Sequence, residues 1–244
     1  MASWIVHLRI AEKILEEIPG LIPDQFAIGN VAPDSGVPDE NWEIFDPPPT
    51  ITHFQPEDET NEIRSEDLRF FREYLNSVSF ENHPDRFSFL LGYYFHLVTD
   101  NFWGLDVYKP TKEKYKQQFA DDPSFIWEVK KDWYGLDFSY VRSHPESLFW
   151  KIFLPAEYTT EFMDFFPKNA ITQQLDYIKS YYQRRDDEVE ASLRLNGNIY
   201  LSAPEMDQFV NISVQKLLSI FELIWIQKIP LSEYRSGMEL LESL

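Results

Sequence analysis

The stretch from Pro84 to Trp103, PDRFSFLLGYYFHLVTDNFW, constrains the fold of this chain more than any other. It is apolar almost all round for about five helical turns, which is typical of a helix that is buried on every side. His96 and Asp100 are costly there, because a polar side chain removed from water destabilises the fold unless another group pairs with it. Since they are four residues apart, both side chains leave the same helix face, where they either hydrogen-bond locally or bind a metal ion.

Helical periodicity recurs along the rest of the chain. Apolar residues spaced by three and four predict a first helix from Trp4 to Ile18, with His7 on its buried face. Further helices are predicted over residues 23–31, 65–76, 111–120, 123–133, 145–153, 167–193 and 204–229. No alternating run or hairpin signal predicts a strand. We therefore expect an all-α fold, a multi-helix bundle around the buried central helix, in a single domain spanning residues 1–244.

The charge balance restricts the partners of the protein. Twenty-two basic and 41 acidic residues give a formal net charge of -19, which repels phosphate backbones and anionic membranes, so no stable binding of duplex nucleic acid is expected. A small phosphate ester or a metal ion remains compatible, because a bound cation can invert the local field. There is no cysteine, so a transition-metal site must use His, Asp and Glu.

Two further expectations concern location. The residues from Met1 to Trp4 show no basic segment, apolar segment and cleavage site of a secretory signal. No stretch of about 18 uncharged apolar residues predicts a membrane span. The expected location is therefore the cytoplasm.

A proline-rich loop of about thirty residues follows the second predicted helix, and loops of that length in compact domains are usually functional or disordered. This loop carries Asp34 in APDS and His53 in ITHF, so we interpret it as functional. Trp42 and Phe54, in the same loop, are the expected substrate contacts. With the buried polar residues of the helices, the loop offers the mixture of imidazole and carboxylate ligands that zinc binds.

Four sequence elements carry a resemblance to a known family. HLRIAEKI begins at His7, GNVAPDS surrounds Asp34, THF contains His53, and LLGYYFHLVTD ends at Asp100. In this order they resemble the zinc-dependent phospholipase C superfamily, which also includes single-strand-specific nucleases, over about residues 4–106. The resemblance implies an all-α phospholipase C/nuclease-like fold with a zinc cluster that hydrolyses phosphate esters.

The resemblance also implies a ligand set. Carried over position by position, the metal ligands are His7, Asp34, His53, His96 and Asp100, with one or two zinc ions or another divalent metal bound. It implies that metal-bound water attacks phosphorus. Asp34 is the expected catalytic residue, acting as ligand and as general base.

The sequence departs from the family pattern after Asp100. The pattern continues with a histidine six residues later and an HxxxE pair on a following helix, whereas position 106 is Asp106 and the next segment has no histidine until His144. Glu128 and Asp132, spaced by four, are candidates for the missing pair. Family members also use a free N-terminal tryptophan amine as a ligand, but Trp4 is internal.

Two functions remain open from the sequence. The first is a metal-dependent phosphoric ester hydrolase acting on a lipid or small-molecule phosphate ester. The second is a catalytically degenerate relative that acts as a metal-containing binding or regulatory module. An HD-type metal phosphohydrolase is a weaker third interpretation, because the chain contains no His-Asp dipeptide.

Overall fold

The all-α class is confirmed by the computed structural model, which describes residues 1–41, 43–56, 63–190 and 192–242, without the Asp186 side chain. The α-helices are α1 (Trp4–Glu17), α2 (Pro23–Gly29), α3 (Pro49–Thr52), α4 (Asp67–Phe70), α5 (Pro84–Trp103), α6 (Lys109–Lys114), α7 (Lys116–Asp121), α8 (Phe125–Ser143), α9 (Ala170–Tyr182), α10 (Asp186–Val189), α11 (Ala203–Phe221) and α12 (Gly237–Glu242). A single 3-10 turn is formed by Ala32–Asp34, and wider π-helical turns by Phe71–Leu75, Gly104–Tyr108, Phe149–Phe153 and Glu222–Ile226.

The central helix α5 has the predicted bounds and the predicted burial. Pro84 occupies its first turn, where the missing N–H costs nothing, and His83 is the N-cap. Every residue from Phe87 to Trp103 is buried. Helices α1, α2, α4, α11 and α12 pack against α5, and the polar residues on it lie inside the apolar interior.

Helix α2 lies directly against α5 at two glycines. A methyl group added to Gly29 would lie 2.0 Å from the carbonyl oxygen of Phe89, and one added to Gly92 would lie 2.4 Å from the carbonyl oxygen of Phe26. Both positions must therefore lack a side chain for the two backbones to approach this closely. This contact fixes the segment that follows α2 against the middle of α5.

Two predicted helices differ from the observed ones, and one observed element was not predicted. Helix α8 continues past Trp133 to Ser143 through Gly135, a glycine required by the close approach of the Arg194 carbonyl, 2.0 Å from the position of an added methyl group. The long helix predicted over 167–193 is interrupted after Tyr182. A hairpin that was not predicted pairs β1 (Val37–Pro38) with β2 (Phe45–Asp46), because strands of two residues are too short to show alternation.

Helix α11 begins with a capping box, in which the Ser202 hydroxyl accepts from Glu205 N–H and the Glu205 carboxylate accepts from Ser202 N–H. By length and composition, the described stretch Ala203–Ile226 could cross a membrane, but buried core helices meet the same criterion. It packs against α1, where Arg9 pairs with Asp207 at 2.5 Å. The expected absence of a membrane span and the cytoplasmic location stay predictions.

We expect Gly92→Ala to destabilise the protein. The added methyl group must separate α2 from α5, and overpacking of this kind costs about 1–3 kcal/mol, or roughly 2–12 °C in the midpoint of thermal unfolding for a chain of this size. Gly104→Ala is the matched control, because the added methyl group would meet only the flexible Arg64 side chain. Equal melting temperatures for both variants would contradict the assigned role of Gly92.

Candidate metal centre

Five polar side chains from four segments converge beside α5. His7 comes from α1, Asp34 ends the 3-10 turn, His53 follows α3, and His96 and Asp100 lie one turn apart on α5. All five are the residues that the sequence predicted. Their donor atoms form two groups in which every atom lies within 4.8 Å of the others: His7 with His96 and Asp100, and Asp34 with His53 and His96.

Four of these residues have the spacing of a single zinc site. His53 Nε2 lies 3.2 Å from Asp34 Oδ1, 3.3 Å from His96 Nε2 and 3.8 Å from Asp100 Oδ2. His96 Nε2 lies 3.6 Å from Asp100 Oδ2. In a tetrahedral site with bonds of about 2.0–2.1 Å, neighbouring donor atoms are about 3.3–3.4 Å apart. The donor set therefore fits zinc in chemistry, and the four distances that involve His53 or His96 are close to tetrahedral spacing.

His7 occupies the far side of Asp100. Its ring stacks on the ring of His96 with centroids 3.8 Å apart, and its Nε2 lies 3.5 Å from Asp100 Oδ1. Within the described residues, both ring nitrogens of His7 and Oδ2 of Asp100 are buried without a hydrogen-bond partner. Such orphaned atoms destabilise a protein unless they bind something. A cation between these groups would satisfy one ring nitrogen of His7 together with the Asp100 carboxylate.

Neighbouring groups orient the imidazoles. The Nδ1 atom of His96 lies 2.8 Å from the carbonyl oxygen of Asn30. Because a carbonyl only accepts, this Nδ1 carries the proton and Nε2 directs its lone pair at the other donors. The Nδ1 atom of His53 similarly lies 2.9 Å from the Thr52 hydroxyl, and the Thr52 carbonyl accepts from the Tyr93 hydroxyl at 2.5 Å.

Protonation states favour metal binding. Burial and the neighbouring His7 together lower the pKa of His96 to about 3, so the imidazole is neutral at pH 7. For Asp34, burial opposes ionisation, but the hydrogen bond with His53 holds the pKa of the carboxyl below its ordinary value. Neutral imidazole and ionised carboxylate are the forms that bind a metal ion.

Trp4 has a function that the sequence did not indicate. Its indole Nε1 donates to Asp34 Oδ2 at 2.8 Å, while Asp34 Oδ1 faces His53. Trp4 thus orients Asp34 through its side chain. Asp34 is also the most exposed of the five predicted ligands, with 12% of its side chain accessible, and it lines a pocket of about 330 Å³ with Trp4. The metal centre therefore opens to solvent at Asp34.

The candidate replacements for the downstream ligands are engaged with other partners in the structure. Glu128 and Asp132 both pair with Arg194, and Asp132 Oδ2 also accepts backbone N–H groups, among them those of Ile199 (2.7 Å) and Tyr200 (2.5 Å). The face of α8 that carries Glu128 and Asp132 therefore binds the segment after α10 and does not face the metal centre. Asp106 pairs with Lys216 at 2.9 Å on the surface.

The expected substrate contacts also need revision. Phe54 is buried, with 4% of its surface accessible, and its ring packs edge-on against Phe70 and Tyr74. It is a core residue, because its ring is enclosed by other aromatic rings. Trp42 lies outside the described residues.

A second buried carboxylate joins the elements around the pocket. Asp137 on α8 accepts hydrogen bonds from the hydroxyls of Ser3 (2.8 Å) and Tyr182 (2.6 Å), which precede α1 and end α9. Burial raises the pKa of Asp137 to about 7, although both hydrogen bonds act in the opposite direction. Asp137 therefore changes charge near neutral pH at a junction of three helices.

Comparison with known proteins agrees with the resemblance. The family model described as zinc dependent phospholipase C matches residues 6–120, just under half of the chain. This match includes all five residues of the metal centre and confirms the resemblance over that range. No curated protein and no solved structure matches the chain.

We expect His96→Ala and Asp100→Ala each to remove bound zinc and to lower the melting temperature of the zinc-loaded protein. Each substitution deletes a donor from the four-residue set and leaves its partners unpaired. Elemental analysis and thermal unfolding measure the two effects. His83→Ala, which alters an exposed histidine at the start of the same helix, is the control. Unchanged zinc content in both variants would rule out the site.

The protonation of Asp137 predicts a pH dependence of stability. A carboxyl whose pKa is raised from 3.8 to about 7 in the folded state stabilises the protein at low pH, and this contribution is lost as the pH rises from about 4 to 7. Asp137→Asn should therefore gain stability relative to wild type between pH 5 and 7.5, measured by urea unfolding. A stability difference that does not change with pH would contradict the raised pKa.

Proposed function

We propose that this protein is a metal-dependent phosphoric ester hydrolase related to zinc-dependent phospholipase C. The observation that carries the proposal is the set of four donor atoms contributed by Asp34, His53, His96 and Asp100, with neighbouring distances of 3.2 to 3.8 Å. These donors come from three separate segments. The family match over residues 6–120 supports the same function independently of the geometry.

The five candidate ligands would bind metal at two neighbouring positions. Asp34, His53, His96 and Asp100 would hold one zinc ion, and His7 with the other carboxylate oxygen of Asp100 would contribute to a neighbouring one. Asp34 also lines the pocket, so a zinc ion bound by these four residues would lie next to the pocket. Zinc, when bound, lowers the pKa of a water ligand and polarises a phosphoryl oxygen. A lipid or a small-molecule phosphate ester could reach this side from solvent.

Asp34 suits the role of ligand better than that of general base. Its Oδ2 atom already accepts from the Trp4 indole, and the lowered pKa of its carboxyl reduces its affinity for a proton. A general base works best with a pKa near the working pH. The predicted base function of Asp34 is therefore disfavoured, and we assign this residue to metal binding.

One observation favours a second candidate, a metal-containing binding or regulatory module without catalysis. Asp106, Glu128 and Asp132 are all engaged in ion pairs away from the metal centre. A protein with one complete site could retain the metal for stability or for ligand binding. Turnover distinguishes this candidate from the hydrolase.

We expect the zinc-loaded protein to hydrolyse a chromogenic phosphodiester or phosphomonoester and to lose this activity with a chelator. Restoring stoichiometric zinc should recover the activity, since the metal supplies the electrophile. His53→Ala should lower kcat/KM by about 100-fold, because removal of one donor leaves an incomplete site.

His144→Ala is the matched histidine control, since His144 is exposed and stacks on Tyr140 away from the centre. It should keep full activity. Stoichiometric zinc without turnover of any tested ester would favour the binding module.

A further inference from the structure

The pocket beside the metal centre carries one positive and one negative side chain among its described lining residues. It has a volume of about 330 Å³, and it is lined by Lys130, Asp34 and aromatic rings that include Trp4, Trp127, Tyr134 and Tyr181. Asp34 is committed to the centre through His53 and Trp4. The Lys130 ammonium is therefore the remaining charged side chain that can meet a ligand in this pocket.

Lys130 has no carboxylate partner among the residues that the structure describes. Its Nζ lies 4.6 Å from the centroid of the Trp127 ring, a cation–π contact. The next residue, Lys131, instead forms an ion pair with Glu128 at 2.6 Å and does not line the pocket. A half-buried ammonium without a counter-ion is available to pair with a negatively charged ligand.

The charge of Lys130 is coupled to the metal centre. Burial lowers the pKa of its ammonium, and the charges of Asp34 and Asp100 act in the opposite direction. These carboxylates would be neutralised by bound metal, so in the loaded protein they no longer compensate the ammonium. An anion that enters the pocket would then meet positive charge both from the centre and from Lys130.

We propose that Lys130 binds a non-bridging oxygen of the substrate's phosphate group and selects phosphate esters whose alcohol portion carries no positive charge. This inference rests on the proposed hydrolase function and deepens it. The aromatic wall accommodates an apolar or aromatic alcohol portion, whereas a quaternary ammonium group is disfavoured because the Lys130 ammonium already occupies a ring face. An ammonium makes three donors available to phosphate oxygens.

The first test measures inorganic phosphate binding to the zinc-loaded protein by isothermal titration calorimetry. A charge-assisted hydrogen bond is worth about 1.5–3 kcal/mol, so Lys130→Met should weaken phosphate binding about 10- to 100-fold. Lys130→Arg should retain most of it. Lys131→Met is the matched control and should bind phosphate as wild type does. Zinc content and melting temperature of all variants show whether the fold and the centre are intact.

The second test compares esters. Bis(p-nitrophenyl) phosphate represents a soluble phosphate ester. A short-chain alkyl ester of phosphatidic acid, used below its micellar concentration, represents a lipid phosphate ester. The third ester, p-nitrophenyl phosphorylcholine, carries a cationic alcohol. Wild type should prefer the uncharged alcohols, and Lys130→Met should lose this preference through a higher KM for them. The ester with the higher kcat/KM among the first two shows whether the preferred substrate is a soluble or a lipid phosphate ester.

The outcomes separate the two proposals. Turnover that is unaffected by Lys130→Met, or phosphate binding equal in wild type and Lys130→Met, overturns the role of Lys130 and leaves the hydrolase intact. If neither wild type nor any variant turns over an ester, the hydrolase proposal is overturned. The phosphate-binding measurement then tests by itself whether Lys130 binds phosphate. A wild-type preference for the choline ester also overturns this inference.

Discussion

A carboxylate buried in an apolar helix is the constraint on which the rest of this structure depends. Asp100 has 1% of its surface accessible, and an ionised group so far from water costs several kcal/mol unless positive charge or hydrogen bonds compensate it. Its Oδ1 atom accepts from Ala2 N–H at 2.7 Å, and three imidazoles surround the carboxylate. The start of α1 and the end of α3 are thus brought to α5 by groups that Asp100 requires.

The backbone supports this arrangement as much as the side chains do. The absence of side chains at Gly29 and Gly92 lets α2 approach α5, and the residue after Gly29 supplies the carbonyl that fixes the tautomer of His96. A glycine one turn before His96 therefore contributes to ligand orientation without contacting any ligand. The metal centre and the helix packing are two aspects of the same contact.

Most of the centre could be predicted from the sequence, because polar residues on apolar helices are expensive and therefore conspicuous. His96 and Asp100 are examples, and the order of the motifs added Asp34 and His53. The contribution of Trp4 could not be predicted, since a tryptophan in an apolar helix is normally a core residue and its hydrogen bond joins distant parts of the chain.

The partners of the candidate replacement ligands could not be predicted for a related reason. The i, i+4 spacing of Glu128 and Asp132 shows that they share a face of α8, but it does not show what that face contacts. The partner of that face, Arg194, follows 62 residues after Asp132. The interrupted helix after Tyr182 and the hairpin at Val37–Pro38 also depend on contacts that local periodicity does not contain.

The π-turn Gly104–Tyr108, directly after α5, has a consequence for the phase of the helix. A π-turn accommodates one more residue than an α-turn, which rotates everything that follows by roughly 100° relative to an uninterrupted helix. The angular position of a residue beyond Gly104 therefore cannot be extrapolated from His96 and Asp100. Asp106, which pairs outward with Lys216, lies within this π-turn. One extra residue in a helical turn thus separates the part of the helix that faces the centre from the part that faces solvent.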